Sequence, residues 1–226
     1  MSLFKQTDEI YKRYHRLLQG RIVVLEGLIS SGKTTWGRSL ADYLNKHHIN
    51  TIFMTEPVDE KFLDLYLSDM NKYSFSFQMH MKALRREIYS QARKYASNGS
   101  FVIIDRSMHG DMAFALMQKH ACMISEEEWS IYRRSYNCED MEEPNDIIML
   151  SCQPSTALNR VFKRGNKSEV NGYTLDYFER LHRAYTEVFA VHGTKIVTLN
   201  VDGDIVLDNM GNIPRENIEG LLNILR

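Results

Sequence analysis

Apolar residues in this chain concentrate in five short runs, at about residues 21–26, 51–55, 100–104, 146–151 and 195–200. The runs are continuous, not alternating. Successive side chains of a strand point to opposite faces, so an unbroken apolar run marks a strand covered on both faces, as in a parallel sheet. The longer stretches between them read as helices, near 33–47, 60–70, 74–98, 107–119, 125–138, 154–164, 174–191 and 214–225. Strand-then-helix repetition with connections of this length predicts an α/β fold, a doubly wound parallel five-stranded sheet flanked by helices. With only four prolines, no internal repeat and no low-complexity segment, residues 1–226 read as one domain. The first 18 residues form a charged extension of helical character and no evident role.

The first apolar run leads directly into Gly27-Leu28-Ile29-Ser30-Ser31-Gly32-Lys33-Thr34. This fits G-x-x-x-x-G-K-[ST], in which two glycines let the backbone turn tightly enough for successive N–H groups to converge on phosphate oxygens. Lys33 adds a cation near the outer phosphates, and the Thr34 hydroxyl is suited to ligate Mg²⁺. The helical pattern that opens at Thr35 places the phosphates at a helix N-terminus. A nucleoside triphosphate is the expected ligand, held by Gly27, Ser30, Ser31, Gly32, Lys33, Thr34 and Thr35.

In an open parallel sheet the ligand lies beyond the carboxyl ends of the strands. Two more strand ends carry suitable chemistry: Glu56-Pro57 after the second, and Asp105-Arg106-Ser107 after the third. An acid directly following an apolar strand in such a protein commonly serves Mg²⁺, and Arg106 supplies a cation beside it. Taken alone, Glu56 fits a solvated loop acid nearly as well. Arg160, Lys163, Arg164 and Lys167 fall at i, i+3, i+4 and i+7 near Gly165. That spacing suits a lid, residues 160–173, closing over transferring phosphates, although basic faces are more often simply solvated. In the longest helical stretch Gln78, Met81 and Arg85 share a face near Phe77. An amide offers a donor and an acceptor together, which matches a nucleobase edge, and Phe77 could stack on a ring. By spacing alone, a surface-turned Gln and Arg fit better.

Composition narrows the class. A net charge of −1 removes the basic excess that sequence-independent nucleic-acid or anionic-membrane binding needs. Cys122, Cys138 and Cys152 lack C-x-x-C spacing and read as reduced thiols. No apolar run approaches a membrane span, and the acidic start of the chain fits neither a secretory signal nor a transit peptide. A cytoplasmic enzyme is expected.

Segments 27–34, 56–58, 73–78, 105–107 and 160–164 occur together, in this order, in the deoxynucleoside kinases. The chain resembles that family over about residues 20–205, most closely the group containing deoxycytidine and deoxyguanosine kinases, with further likeness at 127–132 and 175–182. The resemblance implies a P-loop kinase fold with a helical lid, ATP as donor, Mg²⁺, a deoxynucleoside acceptor, and a homodimer joined through the helices near 107–138. It implies that Glu56 is the general base on the sugar 5′-hydroxyl, with Arg106 and Lys33 as its catalytic companions. Thr34 and Asp105 would serve the metal, although many relatives have Glu at the latter position. Gln78 would bond the base, and Arg85 with Asp111 would form the base-reading pair beside Met81. Glu169 would reach the sugar 3′-hydroxyl, Arg160 and Arg164 would cover the phosphates, and Asp202 and Gly203, within 201–204, would lie at the donor adenine.

Three departures stand out. Where relatives carry a sugar-binding Tyr this chain has Leu67, with Tyr66 as its neighbour. The relatives' stacking Phe is Ala115, with Phe114 beside it. The lid is one residue longer. A thymidylate-type monophosphate kinase shares the loop, the Asp-Arg pair and the lid, but such enzymes usually place Arg immediately before the Glu-Pro; here Thr55 stands there, which favours an uncharged acceptor. A guanine-specific switch would need N-K-x-D, which is absent. The expected preference is for deoxycytidine or deoxypurines over thymidine.

Overall fold

The apolar runs that begin at Ile22 and Phe101 lie side by side at the middle of the sheet, where both faces are covered. The computed structural model describes residues 3–136, 143–191, 193–203 and 207–226, so Cys138 and Asp204 lie outside the described residues. In chain order the elements are α1 (Leu3–Leu18), β1 (Ile22–Gly27), α2 (Lys33–Lys46), β2 (Thr51–Met54), α3 (Glu60–Ser68), α4 (Met70–Ser97), β3 (Phe101–Asp105), α5 (Met108–His120), α6 (Glu126–Arg134), β4 (Asp146–Ser151), α7 (Pro154–Arg164), α8 (Lys167–Gly172), α9 (Leu175–Ala190), β5 (Ile196–Asn200) and α10 (Arg215–Leu225). All strand pairs are parallel, in the order β2-β3-β1-β4-β5.

Strand alternation divides the core between the two faces of the sheet. Val23, Leu25, Phe101 and Ile103 join the larger cluster with Leu40 and Leu44 of α2 and Phe178 and Leu181 of α9. Val24, Val102 and Ile104 point the other way, against Tyr89, Ala92 and Ala96 of α4. The chain steps from β1 outward to β2, returns to β3, then crosses to β4 on the far side of β1. The ends of β1 and β3 therefore meet where the winding reverses, the crevice in which such sheets hold ligands.

Local chemistry explains the differences from the expected boundaries. Helix α4 begins at Met70, earlier than the expected 74, because the Asp69 side chain caps it by accepting from the Lys72 N–H. Helix α7 stops at Arg164, where Gly165 takes φ 75°. Asn166 then caps α8 by accepting from the N–H groups of Ser168 and Glu169. Lys167 thus opens a new helix and does not continue the face of Arg160, Lys163 and Arg164, a correction to the single basic stripe. The first residues have a packing role: Ile10, Tyr14 and Leu18 of α1 are buried in the larger core cluster, and Tyr14 donates to Asn223 Oδ1 at 2.6 Å. Among the described residues, no helix is long and apolar enough to cross a membrane, and Cys122 and Cys152 are free thiols.

Candidate active site

The loop between β1 and α2 is shaped by its backbone. Gly27 has φ 140°, and a Cβ there would lie 2.4 Å from the Leu150 carbonyl oxygen, so a side chain is excluded twice over. Gly32 has φ 97° and starts α2 with no side-chain cap, which leaves the first N–H groups of the helix for an anion. Lys33 is buried; its ammonium donates to Leu28 O at 2.9 Å and Gly27 O at 3.3 Å. Burial lowers its pKa to about 8. Thr34 Oγ1 donates to Asp105 Oδ2 at 3.0 Å, while Asp105 Oδ1 is buried without a hydrogen-bond partner. Burial raises the Asp105 carboxyl. A hydroxyl and an orphaned carboxylate oxygen side by side are hard donors that fit Mg²⁺.

Where β3 ends, Arg106 has φ 73°, a left-handed conformation that a non-glycine residue keeps only when its surroundings hold it. They do so on every side. Its Nε donates to Glu56 Oε2 at 2.8 Å, and its Nη1 donates to Gly27 O at 2.9 Å and the Tyr185 hydroxyl at 2.5 Å. Tyr185 in turn donates to Glu26 Oε2 at 2.9 Å, and Glu26 Oε1 accepts from the Ser107 N–H and hydroxyl at 2.6 and 2.5 Å. Glu26 is wholly buried, and Gly110 leaves room for it, since a Cβ there would lie 2.5 Å from Glu26 Oε1. Glu56 Oε1 accepts from Arg85 Nη2. Burial alone would raise the Glu56 carboxyl, but Arg106 and Arg85 outweigh it and hold the pKa at about 2.

The far end of the site is a network of helix side chains. Gln78 Nε2 donates to Asp111 O at 3.1 Å and to Asp111 Oδ1 at 2.8 Å. Arg85 Nη1 also donates to Oδ1. Oδ2 accepts from the hydroxyls of Tyr132 at 2.5 Å and Tyr136 at 3.2 Å. Asp111 is therefore fully buried, with four donors on its carboxylate, and is not among the residues lining the cavity. In this arrangement Asp111 stands behind Gln78 and Arg85 and holds both through its carboxylate.

These groups surround a cavity of about 430 Å³. Ser30, Gly32, Lys33, Thr34, Thr35, Glu56, Asp105 and Arg106 line one end, and Tyr66, Phe77, Gln78, Met81, Arg85 and Glu169 line the rest. Gly27 and Ser31 shape the loop from behind. Tyr66 lines the cavity, whereas Leu67 packs toward Gly172, whose Cβ would come within 2.9 Å of it. Phe77 and Tyr66 are stacked at 4.7 Å, so one face of Phe77 is already covered. Likewise Phe114 reaches the cavity and Ala115 does not. In the lid, Arg164 donates to both oxygens of Glu169 at 2.8 Å. Arg160 lines the cavity but its Nη2 is held by the carbonyls of Val201 at 2.5 Å and Gly203 at 2.6 Å, which ties α7 to the segment after β5. Asp202 there accepts from the Gln153 N–H at 2.7 Å.

Sequence reasoning missed Glu26, Tyr132, Tyr136 and Tyr185, and the cavity residues Gln118, Tyr173 and Tyr177. One signal was present: an acid closing an otherwise apolar strand must be paired if it is buried. Another was the inward stripe of Tyr177, Leu181 and Tyr185 on α9.

Comparison with known proteins gives a family and a fold. The family model described as deoxynucleoside kinase matches residues 23–217. A deoxyadenosine kinase of Dictyostelium discoideum is 28% identical over 75% of this chain and 67% of its own length. A deoxyguanosine kinase of the same organism is 28% identical over 85% and 69%. Thymidylate kinases also align, for example one of Brachyspira hyodysenteriae at 25% identity. Among solved structures, a deoxyadenosine kinase from M. mycoides shares the fold, with a TM-score of 0.74 and 22% identity over 90% of this chain and 98% of that one.

Proposed function

This chain belongs to the deoxynucleoside kinase family, and on that premise we propose that it transfers the γ-phosphoryl group of ATP to a deoxynucleoside 5′-hydroxyl, with Glu56 as proton acceptor. The observation that carries this reading is Glu56 itself: a carboxylate gripped by two guanidiniums in the cavity that also receives the phosphate loop. With its pKa held at about 2, Glu56 is ionised at every working pH. It is a weak base at rest, but the hydroxyl proton becomes acidic as its oxygen closes on phosphorus, so transfer to Glu56 accompanies bond formation. Lys33 and the loop N–H groups hold the donor phosphates, and Arg106 fixes Glu56 against the loop carbonyl of Gly27. Arg164 stands at the lid side to balance the transferring charge, and Asp202 and Gly203 flank the donor base. Thr34 and Asp105 would hold Mg²⁺, which when bound neutralises phosphate charge. The product is a deoxynucleoside 5′-monophosphate.

For the acceptor we infer deoxycytidine or a deoxypurine over thymidine. Because Gln78 Nε2 is committed to Asp111, its Oε1 is the atom available to a base: an exocyclic amino group finds its acceptor there, whereas thymine O4 finds no free amide donor. Relatives named for deoxyadenosine and deoxyguanosine support the same choice. Tyr66 and Glu169 are the proposed sugar contacts. A homodimer through α5 and α6 is proposed on the resemblance, Ile131 of α6 being an exposed apolar side chain on that surface; a cytoplasmic location accords with the free thiols. The deciding experiment measures ATP-dependent transfer to a panel of deoxynucleosides and their monophosphates. Deoxynucleosides should react and monophosphates should not; transfer to deoxythymidine monophosphate alone would replace this reading with the monophosphate-kinase one.

A further inference from the structure

We propose that Arg85 is a positioning residue for Glu56 as well as a contact for the base, so that the fit of the base is felt in the rate of the chemical step. One guanidinium joins the two functions. Its Nη2 donates to Glu56 Oε1 and its Nη1 to Asp111 Oδ1, while its Nε, also buried, has no hydrogen-bond partner. Arg85 is only 7% exposed and lines the cavity.

A buried N–H without a partner is costly, and an acceptor atom on a bound base removes that cost. The guanidinium is planar and rigid, with its donors in a fixed fork. Nε therefore cannot turn toward one ligand atom without carrying Nη1 and Nη2 with it. Asp111 pins one tip, since four donors already saturate its carboxylate. The tip free to swing is the one on Glu56. A base that offers an acceptor to Nε leaves the fork square on Glu56; a base that offers a C–H or N–H there displaces it and turns the carboxylate. Phe114 supports the arrangement, with the Arg85 and Arg106 guanidinium carbons 5.8 and 4.8 Å from its ring centroid, so the two cations that grip Glu56 share one aromatic ring.

The inference rests on Glu56 being the proton acceptor, and the test separates the two. Wild-type protein is assayed with its best deoxynucleoside and with analogues in which each ring nitrogen acceptor in turn is replaced by C–H. At least one analogue should lower kcat about 10-fold, beyond any change in KM. The companion variant Arg85→Lys keeps the charge but cannot span both carboxylates, and it should lower kcat by about 10-fold or more with every base. If the analogues and Arg85→Lys raise KM alone, Arg85 only binds the base and the inference is overturned. If Glu56→Gln keeps full kcat, the failure belongs to the underlying reading.

Discussion

The two ends of the cavity are built from different material. At the phosphate end the working groups are largely backbone: a loop bent by Gly27 and Gly32, the uncapped start of α2, and residues fixed at the ends of β1 and β3. At the base end they are side chains from α4, α5, α6 and the turn that follows α6, saturating one another around Asp111. A backbone site tolerates only the few residues that permit its conformation, so it serves one ligand group, the polyphosphate. A side-chain network can be rewritten residue by residue, which is how a fold keeps its chemistry while changing its substrate. Glu56 is the point of contact, held by Arg106 from the first end and Arg85 from the second.

The strongest way to break this comparison is at that junction. Glu56→Gln keeps the size but removes the proposed proton acceptor and sets an amide N–H against one guanidinium donor, and it should lower kcat by roughly 10²–10⁴ with ATP binding nearly unchanged. A variant of normal kcat and raised acceptor KM would make Glu56 a binding group. At the phosphate end, Lys33→Ala should cost roughly 10²–10³ in kcat whichever base is offered; if folded protein kept more than about a tenth of wild-type kcat, the assignment of the loop would fail. At the base end, the double change Arg85→Met with Asp111→Ala removes a cation and an anion together and should raise the thymidine-to-deoxycytidine ratio of kcat/KM by about 10-fold, the worth of one mismatched polar group. An unchanged ratio would remove this pair from base discrimination, direct or indirect.

The smallest effect sharpens the electrostatics of the junction. The folded pKa of Glu56 is depressed from 4.5 to about 2, so its contribution to stability is complete above the unfolded value and is lost as pH falls toward the folded one. Urea unfolding of wild type and Glu56→Gln should therefore show a stability difference that is constant above about pH 4.5 and closes between there and pH 2. A gap independent of pH would mean that the two guanidiniums do not govern this carboxylate.

The same division explains what was legible in advance. Residues 27–34 announce themselves because the backbone conformation restricts the residue types, and the unbroken apolar runs identify buried parallel strands for a similar reason. Asp105 and Arg106 were visible because a strand end fixes their place. Glu26 was not: its partners Ser107 and Tyr185 lie 81 and 159 residues away, and nothing local reports them. Spacing also placed Gln78 and Arg85 on one face, yet it could not reveal that both turn toward Asp111, or that Tyr132 of α6 and Tyr136 just after it fill the other carboxylate oxygen. In the lid, the run of basic residues suggested one helix, while Gly165 and the Asn166 cap divide it into two.

The docking of α1 has a consequence for how the chain is made. Tyr14 meets Asn223 across a separation of 209 residues. At ribosomal speeds of about 5–20 residues per second, α1 waits roughly 10–40 s after leaving the tunnel before its partner helix exists. Throughout that interval the Tyr14 hydroxyl lacks its native partner, and the stripe carrying Ile10, Tyr14 and Leu18 cannot complete its packing in the core, a transient hydrophobic surface of the kind that nascent-chain chaperones shield.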